Sequence, residues 1–297
     1  MTSSDRTAGP ASLADGLAPA KINLALHVTG QRADGFHLLD SLVVFADTGD
    51  RLRLQPDAGA VANTLDLRGP FAAGVPAGGD NLVLRALDLI GARGLRVTLD
   101  KRLPPASGMG GGSSDAASAL RLAAAAQGLT LPDTAALMGL GADLPVCLAA
   151  PFAARMQGLG ETVTPLPGVP ALWMLIANPG APLATPAVFR ALTARDNPPL
   201  PPLPPQGWCD ARALSDWLAA QTRNDLQGPA AALMPAIPAL LGEIAAHPGC
   251  LLARMTGSGA TCFGLFANRA TLRDAARALA SPGRYVTACQ TFPSAAP

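Results

Sequence analysis

The sequence predicts an α+β protein with two domains, and three observations support this prediction. The chain has 297 residues, which is more than one hydrophobic core usually organises. Segments in which apolar residues alternate lie between segments of helical periodicity in both halves of the chain. Proline and glycine become frequent from Leu166 to Pro170, just before a new apolar strand. We therefore predict an N-terminal domain over residues 12–166 and a C-terminal domain over residues 167–297.

The N-terminal domain is expected to begin with strands, after a frayed leader that occupies the first eighteen residues. Alternation predicts strands from Ile22 to Val28 and from Leu38 to Phe45. Asn81 precedes LVLRALDLI, whose apolar residues recur at helical spacing, and a strand from Leu95 to Leu99 follows. This domain therefore mixes strands and helices up to residue 100.

A glycine-rich stretch, SGMGGGSSDAA, connects that last strand to a segment of strong helix formers. We predict that Ser113 or Ser114 caps the helix and that Asp115 lies in its first turn. Four glycines within five positions let the backbone approach a ligand closely. Because a helix N-terminus attracts anions, the stretch predicts a phosphate-binding site.

Two well-known glycine patterns compete with this interpretation. The P-loop pattern requires a lysine directly after the glycines, but the only lysines of the chain are Lys21 and Lys101. Gly108, Gly110 and Ser113 nearly match the dinucleotide pattern, yet no acidic residue ends a second strand about 20 positions further on. A Walker-type NTPase is therefore disfavoured, and a nicotinamide-dependent enzyme stays open as a weaker alternative.

The C-terminal domain is also predicted to mix strands and helices. Two strands and two helices are expected there: Leu172–Ala177, Tyr285–Gln290, Ala211–Ala220 and Pro229–Ala246. MTGSGATCFGLFA is predicted to be a glycine turn that enters a strand, and Thr271 with Asp274 resembles a capping box at a helix start. DNPPLPPLPPQG, residues 196–207, is too rich in proline for a helix or a central strand. It predicts an extended surface loop.

Charge and cysteine usage limit the classes of partner. The net charge is +1, so nothing global indicates binding to nucleic acid or to an anionic membrane. The five cysteines are scattered and odd in number, which favours reduced thiols over disulfides or a zinc site. We find no secretory signal and no apolar run of about 18 residues. These features predict a cytoplasmic protein without a membrane span. Whether it is a monomer or a homodimer stays open at this point.

Three segments together resemble the galactokinase, homoserine, mevalonate and phosphomevalonate (GHMP) kinase superfamily. They are PAKINLALHVTGQRADGFH (19–37), LPPASGMGGGSSDAA (103–117) and MTGSGATCFGLF (255–266). GADLPV around Asp143, NPG, TPAVF and RNDLQ are further similar to the branch whose substrate is a methylerythritol that carries a cytidine diphosphate group. The resemblance implies a ribosomal-protein-like N-terminal domain and a ferredoxin-like C-terminal domain, with the active site between them.

The resemblance also implies an activity, which is transfer of the γ-phosphoryl group of ATP to the tertiary 2-hydroxyl of that substrate in non-mevalonate isoprenoid synthesis. Asp143 would accept the hydroxyl proton, and Lys21 would orient the pair and offset developing charge. Taken without the resemblance, the sequence favours Asp143 as only a turn or cap residue, and Lys21 fits a solvated strand end. A related kinase for homoserine or a mevalonate-type alcohol, or a nucleotide-binding regulator without chemistry, also remains open.

The same resemblance assigns the binding residues. ATP and magnesium are the implied cofactors, with Asn81 and Lys101 near the nucleoside and Ser113 or Ser114 as possible metal ligands. The phosphates of ATP would lie along one stretch of the chain: Pro104, Pro105, Ala106, Ser107, Gly108, Met109, Gly110, Gly111, Gly112, Ser113 and Ser114. Phe36 and Phe189 would stack on the cytosine and His37 would read its polar edge. Asn23 and Thr185 match positions that hydrogen-bond the substrate, and Phe36 stands where a tyrosine is expected.

Overall fold

The computed structural model describes residues 14–57 and 59–294, and within them it contains two β-sheets. The first sheet has six strands: β1 Ala14–Gln31, β2 His37–Pro56, β3 Thr64–Arg68, β4 Leu95–Asp100, β5 Ala154–Gly158 and β6 Thr162–Pro165. The second sheet has four strands: β7 Trp173–Asn178, β8 Cys250–Met255, β9 Cys262–Phe266 and β10 Tyr285–Gln290.

Nine helices accompany these strands in the described residues. Four lie in the first half of the chain: α1 Leu82–Leu89, α2 Gly111–Gln127, α3 Thr134–Leu140 and α4 Leu144–Leu148. Five lie in the second half: α5 Thr185–Ala191, α6 Ala211–Gln221, α7 Gln227–Leu233, α8 Ala236–Ala245 and α9 Arg269–Leu279. The predicted α+β organisation is therefore confirmed.

The first sheet is organised around the long hairpin of β1 and β2. The two strands pair antiparallel from Ala14 opposite Leu54 to Gln31 opposite His37. The order of the other strands is β3-β4-β2-β5-β6, and only β3 and β4 run parallel. The frayed leader is therefore a wrong prediction for residues 14–18, because these residues pair with β2. Residues 1–13 of the predicted leader lie outside the described residues.

The second sheet has the order β10-β7-β9-β8 and is antiparallel throughout. Along the chain its elements follow a strand–helix–strand–strand–helix–strand succession, which is the ferredoxin-like arrangement. Between β7 and β8 the chain also forms α5 to α8 and the proline-rich loop. The loop has neither helix nor strand, as predicted.

A shared core joins the two sheets. Ile22 and Leu24 of β1 belong to the same buried cluster as Ile176, Phe263 and Leu265 of the second sheet. The chain also returns to the first sheet after β10, where the Phe292 N–H donates to the Phe45 carbonyl at 3.0 Å. The proposed boundary between residues 166 and 167 stays a prediction, although β6 ends and β7 begins on either side of it.

Two helix predictions in the second half are wrong in detail. The predicted helix over 229–246 is two helices, because Pro235 forces the preceding Met234 into an extended conformation. The predicted capping box of Thr271 and Asp274 does not form. Asn268 caps α9 instead, and its side chain accepts the N–H groups of Ala270 and Thr271.

Several elements had no sequence prediction, namely β3, β5, β6, β8, α4 and α5. Three of them are strands of four or five residues, which are too short for alternation to distinguish from loops. In the described part of the chain no single helix is long and apolar enough to cross a membrane. Only α7 and α8 taken together reach that length, and they are bent by 120°.

Candidate functional site

A cleft of about 1420 Å3 lies between the glycine-rich loop, the start of α2 and α5. Its lining comes from both halves of the chain and includes Lys21 of β1, Asp143 before α4, and Thr185 and Phe189 of α5. The predicted ATP residues Asn81 and Lys101 line it as well, as does most of the stretch from Pro104 to Ser113. The fold therefore gathers distant segments around one cavity.

The glycine-rich loop packs backbone to backbone against a second glycine turn, residues 256–260. Gly108 has φ +80°, and a side chain there would lie 2.6 Å from the Thr256 carbonyl oxygen. A side chain on Gly257, with φ +56°, would lie 2.6 Å from the Gly108 carbonyl oxygen. The Thr261 N–H also donates to the Ser107 carbonyl at 3.2 Å. Glycine is required at both positions because no Cβ fits.

The start of α2 differs from the prediction. The helix begins at Gly111 after Gly110, which is left-handed with φ +63°, and no side chain caps it. Ser114 is buried and its hydroxyl donates to the Pro19 carbonyl at 2.7 Å, so it is not a cap. Asp115 lies beyond the first turn and is buried. Backbone N–H groups of Gly111, Gly112 and Ser113 are consequently left for a ligand at the cleft.

Lys21 and Asp143 form an ion pair inside the cleft. Lys21 Nζ lies 2.9 Å from Asp143 Oδ1, although 122 positions separate the two residues in the sequence. The Lys21 side chain is 4% exposed and the Asp143 side chain is 33% exposed. The Lys21 N–H also donates to the Met109 carbonyl at 3.0 Å, which ties β1 to the glycine-rich loop. The pair is thus held next to the predicted phosphate site, and its carboxylate reaches the cavity.

Lys101 belongs to a second, fully buried cluster below the glycine-rich loop. Its ammonium pairs with Asp50 and lies 2.6 Å from Asp115 Oδ2. Asp50 Oδ1 also accepts the N–H groups of Arg102 and Leu103, at 2.5 and 2.8 Å. Burial raises the pKa of Asp115 to about 8, with Asp50 acting in the same direction and Lys101 opposing it. The cluster joins Asp50 within β2, Lys101 just after β4, and Asp115 near the start of α2.

The predicted base-binding residues line the same cleft. The rings of His37 and Phe189 stack with centroids 4.8 Å apart and an angle of 28°. Phe36 is 64% exposed at the tip of the β1–β2 hairpin and lines the cleft without joining this stack. In the structure Phe189 therefore faces His37, and a sandwich of Phe36 and Phe189 around a base stays a prediction.

Three residues that line the cleft carry a buried polar atom without a hydrogen-bond partner among the described residues. The atoms are Asn23 Oδ1, His37 Nε2 and Asp115 Oδ1. Buried polar atoms are rarely left unpaired in folded proteins. A ligand in the cleft would supply the missing partners of Asn23 and His37, whereas Asp115 is enclosed in the Lys101 cluster.

The remaining predicted polar residues are held by neighbouring groups. Asn23 Nδ2 donates to the Ser41 hydroxyl at 2.7 Å. The Thr185 hydroxyl lies 2.7 Å from the Ser258 hydroxyl of the second glycine turn. Asn81 caps α1 by accepting the Val83 N–H, and its amide donates to the Pro76 carbonyl. Each of these side chains is oriented before any substrate arrives.

The sequence did not assign a role to five further residues of this region. Asp50 pairs with Lys101, Ser258 lies beside Thr185, and Arg190 and Arg195 line the cleft that also contains the aromatic stack. Asn224 lies outside the cleft and donates to the Met255 and Gly257 carbonyls at 2.8 and 2.9 Å, which fixes the second glycine turn. Ser258 and Asn224 belong to quoted motifs, so only their roles were missed. Asp50 carries no local signal.

Two family models and several named relatives match this chain. The model for the GHMP kinases N terminal domain matches residues 81–150, and the model for GHMP kinases C terminal matches residues 210–284. A protein of Cereibacter sphaeroides named 4-diphosphocytidyl-2-C-methyl-D-erythritol kinase is 55% identical over 277 residues, which cover 92% of this chain and 98% of the relative. A protein of Dinoroseobacter shibae with the same name is 56% identical over 266 residues, or 90% of each chain.

Solved structures of kinases also match this chain. The crystal structure of a 4-(cytidine 5'-diphospho)-2C-methyl-D-erythritol kinase has a TM-score of 0.75 and 34% identity, covering 94% of this chain and 99% of that one. The L. major mevalonate kinase in complex with R-mevalonate has a TM-score of 0.64 over 98% of both chains. Its identity is only 16%, so this second likeness shows the fold alone.

The two-sheet fold and the glycine-rich loop at the cleft, together with these matches, define a GHMP kinase. The predicted superfamily fold, with its ribosomal-protein-like and ferredoxin-like domains, is thereby confirmed. Within that class the chain belongs to the 4-diphosphocytidyl-2-C-methyl-D-erythritol kinase family. A nicotinamide-dependent enzyme does not fit this family.

Proposed function

We propose that the protein transfers the γ-phosphoryl group of ATP to the 2-hydroxyl of 4-diphosphocytidyl-2-C-methyl-D-erythritol, giving the 2-phosphate and ADP. One observation carries the proposal: the Lys21–Asp143 pair lies in the same cleft as the glycine-rich loop and the His37–Phe189 stack. A phosphate donor, an acid–base pair and a base-binding surface are the three parts that such a transfer requires.

The triphosphate would bind where the start of α2 presents its free N–H groups, and glycine lets the backbone come close. The acceptor hydroxyl would lie beside Asp143, which takes its proton as the hydroxyl oxygen bonds to the γ-phosphorus. The bond from that phosphorus to the β–γ bridging oxygen breaks, and ADP leaves with the electron pair. Lys21, 2.9 Å from Asp143, would orient the carboxylate and offset charge that develops on the transferring group.

The cytosine would bind near His37, whose buried Nε2 has no partner among the described residues. Burial lowers the pKa of His37, and the nearby Arg195 cation lowers it further. The imidazole is therefore neutral near pH 7, so one ring nitrogen donates and the other accepts a hydrogen bond. Such a ring can read the polar edge of a base, and Phe189 offers it a stacking face.

Magnesium would enter with ATP. The described residues contain no group of three acidic, histidine or cysteine side chains that could form a complete metal cage. Magnesium usually keeps several waters and binds nucleotide phosphates with few protein ligands, so this cleft fits it. Ser113 lines the cleft and would hold it, whereas the Ser114 hydroxyl is engaged with Pro19. When bound, the ion would neutralise charge on the phosphates.

We also propose that the enzyme works in the cytoplasm, as a monomer or a homodimer. All five cysteines lie in described residues and are free thiols, which fits a reducing compartment.

A coupled assay of ADP release with this substrate, ATP and magnesium tests the proposal. Turnover should depend on the substrate and fall in the Lys21→Ala and Asp143→Ala variants. Homoserine and mevalonate serve as alternative acceptors, and CDP should compete with the true acceptor. No turnover above the two variants would contradict the proposed function. Turnover of another alcohol without CDP competition would replace the proposed acceptor.

A further inference from the structure

Two groups of negative charge have to share this cleft if the proposed function holds. One is the triphosphate of ATP, and the other is the diphosphate of the acceptor substrate. Glycine backbone and the start of α2 provide for the first group at one end of the cleft. Nothing described so far binds the second group.

The charged lining of the cleft limits which residues can do so. Its four basic side chains other than histidine are Lys21, Lys101, Arg190 and Arg195. Lys21 pairs with Asp143, and Lys101 pairs with both Asp50 and Asp115. Both lysines are therefore already compensated by carboxylates. Neither arginine has a carboxylate partner among the described residues.

The two arginines lie at the base-binding end. Arg190 is in the last turn of α5, directly after Phe189 of the aromatic stack, and it is exposed. Arg195 follows α5, and its charge acts on His37. Its Nη1 donates to Gln31 Oε1 at 3.1 Å and its Nε donates to the Leu192 carbonyl at 3.3 Å. Arg195 is thus oriented by β1, and its Nη2 remains available.

Gln31 extends this support to the hairpin tip. Its amide Nε2 donates to the Gly35 carbonyl at 3.0 Å, next to Phe36 and His37. The arginine, the hairpin and the aromatic stack therefore form one connected surface. In a nucleoside diphosphate only the ribose separates the base from the phosphates, so a base held at this surface places its phosphates within reach of neighbouring side chains. Guanidinium groups bind phosphate oxygens through paired N–H donors.

From this geometry we infer that Arg190 and Arg195 bind the diphosphate of the acceptor substrate, as a cation site separate from the ATP cradle. The inference rests on the proposed function, because it assumes a cytidine diphosphate group in the cleft. With the two arginines in this role, neither Lys21 nor Lys101 is required to bind the substrate's diphosphate. The two arginines act on binding and specificity, and they leave the chemistry at Asp143 unchanged.

The test compares cytidine with CDP, because the two ligands share the base and ribose and differ in the diphosphate. Dissociation constants are measured by calorimetry with the ATP cradle saturated by a non-hydrolysable ATP analogue. The proteins are the wild type, Arg190→Gln, Arg195→Gln and the double variant. Arg273→Gln on α9 is the matched control, since Arg273 is exposed and does not line the cleft.

We expect the wild type to bind CDP more tightly than cytidine, and each single variant to reduce that ratio roughly 10-fold. The double variant should bind the two ligands almost equally. In the Arg190 and Arg195 variants, the affinity for cytidine and the KM for ATP should not change. The Arg273→Gln protein should behave like the wild type throughout. Added salt should lower the ratio most in the wild type, less in each single variant, and not in the double variant, which lacks both arginines.

An unchanged ratio in the double variant, with cytidine still bound, would overturn the inference and leave the proposed function intact. A wild type that binds neither cytidine nor CDP would overturn both. A fall in cytidine affinity equal to the fall in CDP affinity would show that the arginines shape the base site instead, and would also contradict the inference.

Discussion

The two lysines of this protein lie in one cleft but are held in different ways. Lys21 has one carboxylate partner, Asp143, whose side chain is 33% exposed. Lys101 has two partners, Asp50 and Asp115, and all three side chains are at most 5% exposed. A carboxylate that reaches the cavity can accept a proton from a substrate. A carboxylate sealed around an ammonium can only hold its neighbours in place.

The comparison teaches that two buried lysines near the same ligand need not share a role. The Lys101 cluster joins β2 and the end of β4 to α2, so it supports the phosphate-binding loop from below. The Lys21 pair lies above that loop, on the side of the substrate. The predicted contact of Lys101 with the nucleoside stays a prediction, and its ammonium is already engaged by two carboxylates.

The largest effect is expected on catalysis at the Lys21 pair. Asp143→Asn keeps the shape of the side chain but removes the base, so kcat should fall roughly 100- to 10,000-fold. Lys21→Met should lower kcat to a similar extent, while the KM for ATP changes little. Steady-state kinetics with both substrates at saturation measure kcat, and kinetics at varied ATP concentration measure the KM for ATP. If kcat of both variants stayed within tenfold of the wild-type value, Lys21 and Asp143 would not be the catalytic residues.

The next largest effect is expected on stability at the Lys101 cluster. Lys101→Met leaves the buried Asp50 carboxylate without its cation and Asp115 without its partner, which should reduce the free energy of unfolding by about 3–5 kcal/mol. Lys21→Met is the matched variant and should lose far less, because the remaining Asp143 reaches solvent. Urea unfolding at pH 7 compares the two. Equal losses would remove the distinction drawn between the lysines.

The pH dependence of stability sharpens the comparison further. The pKa of Asp115 is raised to about 8 in the folded protein, whereas an unfolded aspartate titrates near its ordinary value of about 3.9. Between these values the folded state holds the extra proton, so this group loses stabilising free energy as pH rises, at up to about 1.4 kcal/mol per pH unit.

Asp115→Asn removes that titration. The free energy of unfolding of the variant minus that of the wild type should therefore increase from pH 5 to pH 8. Urea unfolding at several pH values measures the difference. Parallel profiles for the two proteins would mean that Asp115 is ionised throughout this range in the folded state.

The smallest effect on the free energy of unfolding is expected at Gly110, in the glycine-rich loop beside Lys21. A side chain at Gly110 would lie 3.0 Å from Lys21 Cε, and the φ of Gly110 is +63°. Gly110→Ala should lower the free energy of unfolding by about 1–2 kcal/mol, since an L-residue is strained in this region. It should also lower kcat by displacing Lys21. Gly112→Ala is the control for the free energy of unfolding, because a side chain there meets no protein atom within 4 Å.

Much of the fold follows from short-range patterns. Alternation indicated the β1–β2 hairpin and the strands β4, β7 and β10, and helical periodicity indicated α1 and α6. The glycine pattern located the loop at the cleft. The patterns failed where an interaction crosses the fold, as at residues 14–18, which are a strand because β2 lies beside them. They also failed at α2, because the structure uses Ser114 and Asp115 for buried contacts.

The residues of the candidate site could likewise be selected from the sequence, but their mutual contacts could not. Residue types and motif spacing sufficed to select Lys21, Asp143, His37 and Phe189, through resemblance to a family. Tertiary structure alone paired Lys21 with Asp143 and surrounded Lys101 with Asp50 and Asp115. Turn chemistry and periodicity act over a few residues, whereas these ion pairs join positions that only the packing of sheets and helices brings together. Burial and unpaired charge, which distinguish the two lysines and select the two arginines, are properties of that packing.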